Sequence, residues 1–301
     1  MRDNSKRIKP NLSDDLSSVI ATNQQQEQNI FNFATPTDFV KLPSGGKYYP
    51  PNHPLHNIDT VEIRYMTAKD EDILTSKALI KQGIVIDRLI ESVVLDKRIK
   101  TADLLSGDKN ALLVGARVTG FGPEYKTNIT CPNCGHINKH AFDLSEVEPK
   151  PEPDYEELEV EKTEEGTFIF KLPRTGVNVE VKLMTGSDET QLLQTMERRE
   201  KKGLPISVTT TQLMSIIVSV NGITNRTQIS EFVGNMPSYD SRYLREVYAK
   251  LVPNIDMVQE FQCEKCGAEK EVDIPITVDF FWSWWGIYTI CLWTNLFIKI
   301  S

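Results

Sequence analysis

Two stretches decide the fold of this 301-residue chain: Ile129-Thr130-Cys131-Pro132-Asn133-Cys134-Gly135 and Phe261-Gln262-Cys263-Glu264-Lys265-Cys266-Gly267. In both copies an aspartate, Asp108 or Asp240, lies 23 positions before the first cysteine. The matching segments upstream are Lys41-Leu42-Pro43 and Lys171-Leu172-Pro173, Val61 to Arg64 and Val179 to Lys182, and Met66 to Glu71 and Met184 to Glu189. Because order and spacing are both kept, the sequence predicts an internally duplicated αβ module.

Each half of the pattern predicts strands followed by helices, and therefore an α+β fold. Phe168 to Phe170 and Val177 to Leu183 flank a Pro/Gly turn, as expected of a β-hairpin. Helices are predicted to begin at Thr67-x-x-Asp70 and Thr185-x-x-Asp188, where a hydroxyl and an acid three residues later resemble a capping box. The predicted helices are 70–80, 84–94 and 108–119 in the first half and 189–201, 208–220 and 239–251 in the second.

The two Cys-x-x-Cys motifs predict a single tetrahedral zinc site. A tight turn can present two such thiolates to one Zn²⁺, and the glycine after the second cysteine permits the geometry of that turn. Two motifs in equivalent, strand-flanked positions are typical of a zinc ribbon built from two hairpins. We therefore expect Cys131, Cys134, Cys263 and Cys266 to share one Zn²⁺ per chain that joins the two halves. Four thiolates leave no open coordination position, so the expected role of the zinc is structural.

Other interpretations of the same cysteines stay open from the sequence. The four residues are also compatible with reduced buried thiols, with two separate redox pairs, or with a rubredoxin-like iron site. His136 and His140 are candidates for a local site with the first motif, but the second copy has Ala268 and Val272 at those positions while keeping both cysteines. The two histidines are therefore expected to be ordinary strand residues.

The distribution of charge disfavours nucleic acid as a partner. Residues 145–166 hold ten acidic residues against Lys150 and Lys162, which accounts for the whole net charge of −8. The remainder lacks the excess positive charge that binding to phosphate backbones requires. The polar segment Met1 to Glu27 lacks the apolar core of a signal peptide, so we expect a reducing cytoplasm, where paired Cys-x-x-Cys motifs more often bind metal than form disulfides.

Composition divides the chain into five predicted segments. Residues 1–35, rich in Asn, Ser, Gln and Asp, are expected to be a flexible arm, either an unstructured end or a segment that orders on a partner. Residues 36–144 and 167–280 are the first and second αβ half-modules, each with one zinc knuckle. The Pro/Glu-rich segment 145–166 between them is expected to be a solvated linker, with an acidic docking segment as the alternative. Residues 281–301 form an apolar aromatic tail.

The C-terminal tail is a candidate for contact with a membrane. Residues 280–298 contain no charge, and their length fits a membrane span. Polar residues dilute this segment, however, and its aromatic residues crowd its start instead of forming a belt at both ends. Burial against the body or against a partner chain is therefore favoured over insertion into lipid.

The sequence offers no catalytic constellation, and the chain is predicted not to be an enzyme. His53 and His56 lie in a proline-rich loop without a neighbouring nucleophile motif. Asp70-Glu71-Asp72 and Asp188-Glu189 occupy first helical turns, where the helix dipole favours acids. Gly45-Gly46-Lys47 lacks the spacing and the hydroxyl residue of a phosphate-binding loop. No small-molecule substrate is therefore expected.

Five motifs follow one another in a recognisable order along the chain. They are Leu42 to Pro50, Met66 to Leu74, Gly107 to Asn110, Cys131 to Gly135 and Asp279 to Trp282. Their order, more than any one of them, resembles the baseplate hub protein family of T-even-like contractile-tailed bacteriophages, over about residues 38 to 282. The resemblance implies a non-enzymatic late viral protein that builds the hub or inner baseplate, or helps to assemble it, by binding other tail proteins.

We therefore expect a structural or assembly component of a contractile tail baseplate, made in the host cytoplasm and located in the virion tail. In this interpretation the zinc-linked double module is a rigid body, while the arm, the acidic segment and the tail contact neighbouring tail proteins. The family includes assembly helpers as well as parts of the finished particle, and the sequence does not choose between them. The alternative function is that of a zinc-ribbon adaptor for nucleic acid or the transcription machinery.

Overall fold

The fold was taken from a computed structural model that describes residues 35–203, 205, 207–274, 276 and 279–282. The chain divides after Pro36, and the elements described below belong to the unit that begins at Thr37. This unit is mixed α+β with small antiparallel sheets, as the sequence predicts. The predicted arm up to residue 34, and the tail from residue 283 onwards, lie outside the described residues.

The first half of this unit consists of a strand pair, a group of helices and a β-hairpin. Its elements are β1 (Thr37–Lys41), β2 (Thr60–Arg64), α1 (Ala68–Thr75), α2 (Lys77–Gln82), α3 (Val85–Val93), a 3-10 turn (Thr101–Asp103), α4 (Ser106–Phe121), β3 (Glu124–Thr130), β4 (Ile137–Asp143) and a second 3-10 turn (Leu144–Glu146).

The second half has a larger sheet, two pairs of helices, a second hairpin and a final helical turn. Its elements are β5 (Glu161–Lys162), β6 (Phe168–Lys171), β7 (Asn178–Val181), α5 (Gly186–Lys201), α6 (Val208–Ile216), β8 (Ile217–Val220), α7 (Arg226–Asn235), α8 (Ser238–Leu251), β9 (Val258–Gln262), β10 (Glu269–Asp273) and α9 (Asp279–Trp282).

The strand pair of the first half places its apolar residues against helix α4. In β2, Val61 and Ile63 are buried and alternate with more exposed neighbours, as expected of a strand that is covered on one face. Val40 of β1 pairs with Val61, and a Cβ added to Gly115 of α4 would clash with the Val40 side chain. Glycine at position 115 therefore sets the close approach of α4 to β1.

The second half contains a four-stranded antiparallel sheet in the order β5-β6-β7-β8. The hairpin predicted here is confirmed, because β6 pairs with β7 and places Phe170 opposite Val179. The helix predicted for 208–220 is wrong beyond Ile216, since Ile217–Val220 form β8 beside β7. Branched residues such as Ile217 and Val218 fit a pleated surface, and the open edge of β7 outweighs the helical periodicity.

Both predicted capping boxes are confirmed. Asp70 accepts a hydrogen bond from the main-chain N–H of Thr67 at 2.7 Å, and Asp188 accepts one from the N–H of Thr185 at 3.1 Å. Each carboxylate also binds a cation at the end of the preceding strand, with Nη1 of Arg64 2.7 Å from Asp70 and Nζ of Lys182 2.7 Å from Asp188. These contacts tie the end of β2 to the start of α1, and the end of β7 to the start of α5.

The two halves share one hydrophobic core and meet at the N-termini of two helices. The main-chain N–H of Gly186, at the start of α5, donates to Leu104 O at 2.9 Å, just before α4. Lys109 of α4 lies between Asp87 of α3 and Glu189 of α5, with Nζ 2.7 and 3.3 Å from their carboxylates. In the part of the chain that the structure describes, none of the helices is both long and apolar enough to cross a membrane.

The acidic segment 145–166 is anchored to the folded unit, although the sequence predicts a solvated linker. Pro149 forms an antiparallel bridge with Ile255, and the N–H of Lys150 donates to Asn254 O at 2.8 Å. Val160 is buried, and β5 extends the sheet at the edge of β6. The sequence does not reveal this packing because the apolar anchors stand singly among acids, most of which stay exposed. The division into two half-modules and a linker stays a prediction.

Candidate metal centre

Four cysteine sulfurs converge where the hairpins β3-β4 and β9-β10 meet. The Sγ atoms of Cys131, Cys134, Cys263 and Cys266 all lie within 4.8 Å of one another. Cys131 Sγ is 3.8 Å from Cys266 Sγ, and Cys134 Sγ is 3.7 Å from Cys263 Sγ. Sulfurs at the corners of a tetrahedron around Zn²⁺, with Zn–S bonds of about 2.3 Å, are separated by about 3.8 Å. The spacing fits a shared tetrahedral ion and excludes disulfides, whose sulfurs are about 2.0 Å apart.

The two knuckles have the same main-chain geometry. The N–H of Gly135 donates to Cys131 O at 2.9 Å, and the N–H of Gly267 donates to Cys263 O at the same distance. Gly135 has a φ of +69° and Gly267 a φ of +66°, in the left-handed region that residues with a side chain rarely adopt. Each glycine therefore allows a turn that aims both cysteines of its knuckle at one point.

The site is half-buried, with one inner and one outer sulfur from each knuckle. Cys131 and Cys263 are each 1% exposed, whereas Cys134 and Cys266 are exposed. The inner pair lies in the hydrophobic core, and the outer pair faces solvent. This arrangement lets an ion enter from solvent while the fold holds the inner ligands in place.

The surroundings shift the pKa values of Cys134, Cys263 and Cys266 in opposite directions. Burial disfavours ionisation of Cys263, but main-chain N–H groups of its own knuckle outweigh burial and lower its pKa to about 6. The pKa of Cys266 is also lowered, first by the N–H of Ala268. The N–H of His136 favours the thiolate of Cys134, but desolvation and the neighbouring sulfurs raise its pKa to about 12. A bound divalent cation would favour the thiolate form of all its cysteine ligands, because Zn²⁺ binds thiolates.

One residue of the site, Asn138 of β4, was not identified from the sequence. Its side chain is 2% exposed and reaches from the first hairpin to the second knuckle, where Nδ2 lies 3.6 Å from Cys263 Sγ. No motif marks it, and Lys270 stands at the same distance from the second Cys-x-x-Cys motif. The contact therefore becomes visible only once the two hairpins are seen side by side.

The histidines lie outside the sulfur cluster. The ring of His140 packs against the rings of Phe142 and Phe261, at centroid distances of 4.6 and 5.5 Å. Among the described residues, the group of side chains that could hold a metal contains only the four cysteines. Far from this group, His53 stacks on Tyr49 at a centroid distance of 4.4 Å.

Comparison with known proteins agrees with the resemblance noted in the sequence. A family model described as T4 bacteriophage base plate protein matches residues 35–282, a range that includes both hairpins and all four cysteines. Neither the curated proteins nor the solved structures contain a match to this chain. The family match spans most of the chain, and the protein therefore belongs to the T4 bacteriophage base plate protein family.

Proposed function

We propose that this protein is a structural or assembly component of the hub or inner part of a contractile tail baseplate, and that it works by binding other tail proteins. Family membership supports a baseplate protein, and a structural family favours a role without catalysis. The proposal places the protein in the virion tail. Its partners are other tail proteins, and nucleic acid is not among them.

The second part of the proposal is that one structural Zn²⁺ joins the two halves. The convergence of Cys131, Cys134, Cys263 and Cys266 at tetrahedral spacing is the observation that carries it. Four thiolates fill the coordination shell of zinc, so the ion would act as a cross-link and leave no position for a substrate. Because its ligands lie far apart in sequence, such a cross-link would hold both hairpins in a single rigid body.

The third part is that the two halves arose by internal duplication. The supporting observation is that residues at corresponding positions make corresponding contacts. Asp108 and Asp240 are both fully buried, and each accepts a main-chain N–H from the residue after a Leu-Pro pair, Ser44 at 2.9 Å and Arg174 at 2.8 Å. Each aspartate thus fastens the first turn of α4 or α8 to the loop that follows β1 or β6.

The sheets support the same proposal. In the second half β8 pairs with β7 directly after helix α6 ends. In the first half Val94, directly after α3, forms a single antiparallel bridge with Ile63 of β2. The first half therefore contains a one-residue counterpart of β8.

The baseplate role is tested by following the protein through particle assembly. Purified phage particles and baseplate intermediates would be analysed by mass spectrometry, and a tagged copy would be used to capture tail proteins from infected cells. We expect co-purification with baseplate proteins. Salt-dependent retention on DNA without any tail protein would instead support the zinc-ribbon adaptor.

The zinc cross-link has a separate test. Elemental analysis of the purified protein should find one zinc per chain, with the thiols of all four ligands protected from a thiol reagent until a chelator is added. The fifth cysteine, Cys291, lies outside the described residues and serves as the internal reference for thiol reactivity. Zinc-free protein with four freely reactive thiols in the folded state would contradict the cross-link.

A further inference from the structure

We propose that Asn138 is a positioning residue for the metal, whose side-chain amide docks the second knuckle on the first hairpin and donates a hydrogen bond to the sulfur of Cys263. The inference rests on the proposed zinc site and adds the residue that brings its two halves into register. Asn138 belongs to β4, and its three contacts across the junction go to Cys263 and Glu264 of the second knuckle.

The surroundings of Asn138 determine which end of its amide faces the sulfur. Oδ1 accepts from the main-chain N–H of Glu264 at 3.0 Å, and Nδ2 donates to His136 O at 3.0 Å. A main-chain N–H can only donate and a carbonyl can only accept, so the reversed amide would lose both bonds. Cys263 Sγ lies 3.6 Å from Nδ2 and 3.7 Å from Oδ1. A metal-bound thiolate can only accept, so in the zinc-bound state its partner is the second N–H of Nδ2.

Burial makes this contact valuable. Asn138 and Cys263 are 2% and 1% exposed, so water does not replace a hydrogen bond that either of them loses. A metal-bound thiolate keeps negative charge on its sulfur, and a hydrogen bond from a neighbouring group stabilises that charge and orients the ligand. Asn138 therefore joins the fold of the first hairpin to the ligand geometry of the second.

The amide layer around the sulfurs is asymmetric, unlike the cysteines themselves. Asn133 in the first knuckle also reaches the second, with Nδ2 3.6 Å from Cys266 Sγ, but its side chain is exposed. The second copy has Lys265 and Lys270 at the two corresponding positions, and both are exposed. The first hairpin thus donates amide hydrogens to both sulfurs of the second knuckle.

Gln259 provides a matched control, because it bridges the same two hairpins without touching sulfur. Its Oε1 accepts from the N–H of Asp143 at 3.3 Å, and its Nε2 donates to Asp143 O at 2.6 Å. Replacing Gln259 weakens the docking of the hairpins at the end remote from the cysteines. It therefore separates loss of docking from loss of the hydrogen bond to the ligand.

The test measures transfer of zinc from the full-length protein to a colorimetric chelator, for the wild type and for the variants N138D, N138A, N133A and Q259A. Asn138→Asp keeps an acceptor for Glu264 but removes the donor and places a negative charge beside Cys263. Residues that support metal ligands typically contribute about 10- to 100-fold to metal affinity. If this loss lies in dissociation, N138D and N138A should release zinc faster than the wild type by about the same factor. N133A should have a smaller effect, and Q259A should release zinc at roughly the wild-type rate.

Cobalt-substituted protein gives a second readout that simple loosening of the hairpins does not move. The sulfur-to-cobalt charge-transfer band should shift in N138D and N138A and stay in place in Q259A. If the wild type holds one zinc, while N138D and N138A release it as slowly as Q259A with an unshifted cobalt band, the role of Asn138 is wrong and the zinc site stands. If the wild type binds neither zinc nor cobalt, the zinc site and the role of Asn138 both fail.

Discussion

The two halves of the folded unit supply equal numbers of cysteines to the metal centre, but they differ in the polar side chains that surround it. Asn133 and Asn138 of the first half contact the second knuckle, where the second half has lysines at the same positions. The second half has the larger sheet, with β5 and β8 added to its hairpin. If the halves arose by duplication, the ligands were kept in both copies while the supporting contacts became specialised in one.

Arg117 shows the same asymmetry at α9, the last described element. This residue of α4 is 1% exposed and donates to three main-chain carbonyls, those of Phe280 at 2.6 Å, Gly122 at 2.9 Å and Glu124 at 3.2 Å. Ala249 occupies the corresponding position in α8. The first half therefore also holds α9, although α9 follows the second half in sequence. The lesson is that symmetry of the ligands does not extend to the residues that organise them.

The largest expected effect comes from removing one ligand, which tests whether the halves depend on a common ion. Cys263→Ser should abolish zinc binding and lower the melting temperature by roughly 10 °C or more, because structural zinc contributes directly to folding. Hydrogen exchange should become faster in both β3-β4 and β9-β10. Cys291→Ser is the control and should retain zinc. Faster exchange confined to β9-β10 would contradict a shared site.

Arg117→Ala should have the next largest effect, since no counterpart in the second half can compensate for it. Three main-chain carbonyls would lose their donor, in a buried bond to Phe280 and part-buried bonds to Gly122 and Glu124, and we expect unfolding to require about 3 kcal/mol less free energy. Urea denaturation measures this, and hydrogen exchange should locate the change in α9. Arg242→Ala removes an exposed arginine that pairs with Glu246 along its own helix and should leave stability roughly unchanged. Equal effects of the two substitutions would remove the proposed role of Arg117.

The paired aspartates should respond unequally to amide substitution. Both oxygens of Asp240 accept main-chain N–H groups, from Arg174 at 2.8 Å and Thr175 at 3.0 Å. In Asp240→Asn the side-chain NH₂ group would face one of these N–H groups, and the free energy of unfolding should fall by about 2 kcal/mol. One oxygen of Asp108 instead accepts from the hydroxyls of Ser44 and Tyr49, at 2.6 and 2.7 Å. Each hydroxyl already accepts one main-chain N–H, from Gly46 or Leu105, but has a second lone pair for an amide N–H, so Asp108→Asn should cost only about 1 kcal/mol. Equilibrium unfolding of both variants decides whether the difference exists.

The cation of each capping box offers a smaller contrast. Arg64 contacts both oxygens of Asp70, at 2.7 and 2.9 Å, and also Ser92, whereas Lys182 makes one contact to Asp188. Arg64→Lys should lower the free energy of unfolding by about 1 kcal/mol, because one ammonium cannot replace a two-pronged guanidinium. Lys182→Arg is the reciprocal variant and should be nearly neutral. A loss as large as that of Arg64→Lys would show that the two boxes are equivalent after all.

The smallest effect is an opposite dependence on pH. Burial raises the pKa of Asp108, although Ser44 and Tyr49 donate to it. Burial also opposes ionisation of Asp240, but the N–H groups of Arg174 and Thr175 hold its pKa below the ordinary value. The contribution of Asp240 is thus present above the unfolded pKa of about 3.9 and lost as pH falls through its folded value. That of Asp108 is present below about 3.9 and lost as pH rises through its own raised value.

Urea unfolding of both variants at a series of pH values from neutral to acidic checks this sign. As the pH falls, the stability difference between wild type and D240N should shrink, while the difference between wild type and D108N should grow. Parallel curves would contradict the assignment of opposite shifts to the two aspartates.

The sequence predicted those features that depend on local chemistry. Cys-x-x-Cys-Gly turns, capping boxes and the hairpin before Val181 each need particular residues within a few positions, and their pattern is readable from one strand or helix. The four cysteines could be grouped because the motif occurs twice at corresponding positions. The baseplate family was recognised from the order of motifs, which the family match confirms.

Features that depend on the partner segment could not be predicted. The periodicity predicts a helix for Ile217 to Val220, but these residues pair with the edge of β7, which the sequence does not show. Nothing in the sequence distinguishes Arg117 from other helical arginines, because its partner Phe280 lies 163 positions away. Composition predicts a solvated acidic segment, because it carries no information about main-chain hydrogen bonds such as that of Lys150. Hydrophobic periodicity does not predict the tertiary contacts of single residues, however long the sequence window.

Helix α4 has a consequence for how the protein would bear force. β1 packs against it through Val40 and Gly115, and α9 is held to it by Arg117, which lies 200° further round an ideal helix of 3.6 residues per turn. β1 and α9, the first and last described elements, therefore contact opposite sides of helix α4. Tension between β1 and α9 would pass through α4 as shear, and part of it would reach the first cysteine hairpin, because Phe280 of α9 also packs on Tyr125 of β3 at a centroid distance of 5.1 Å.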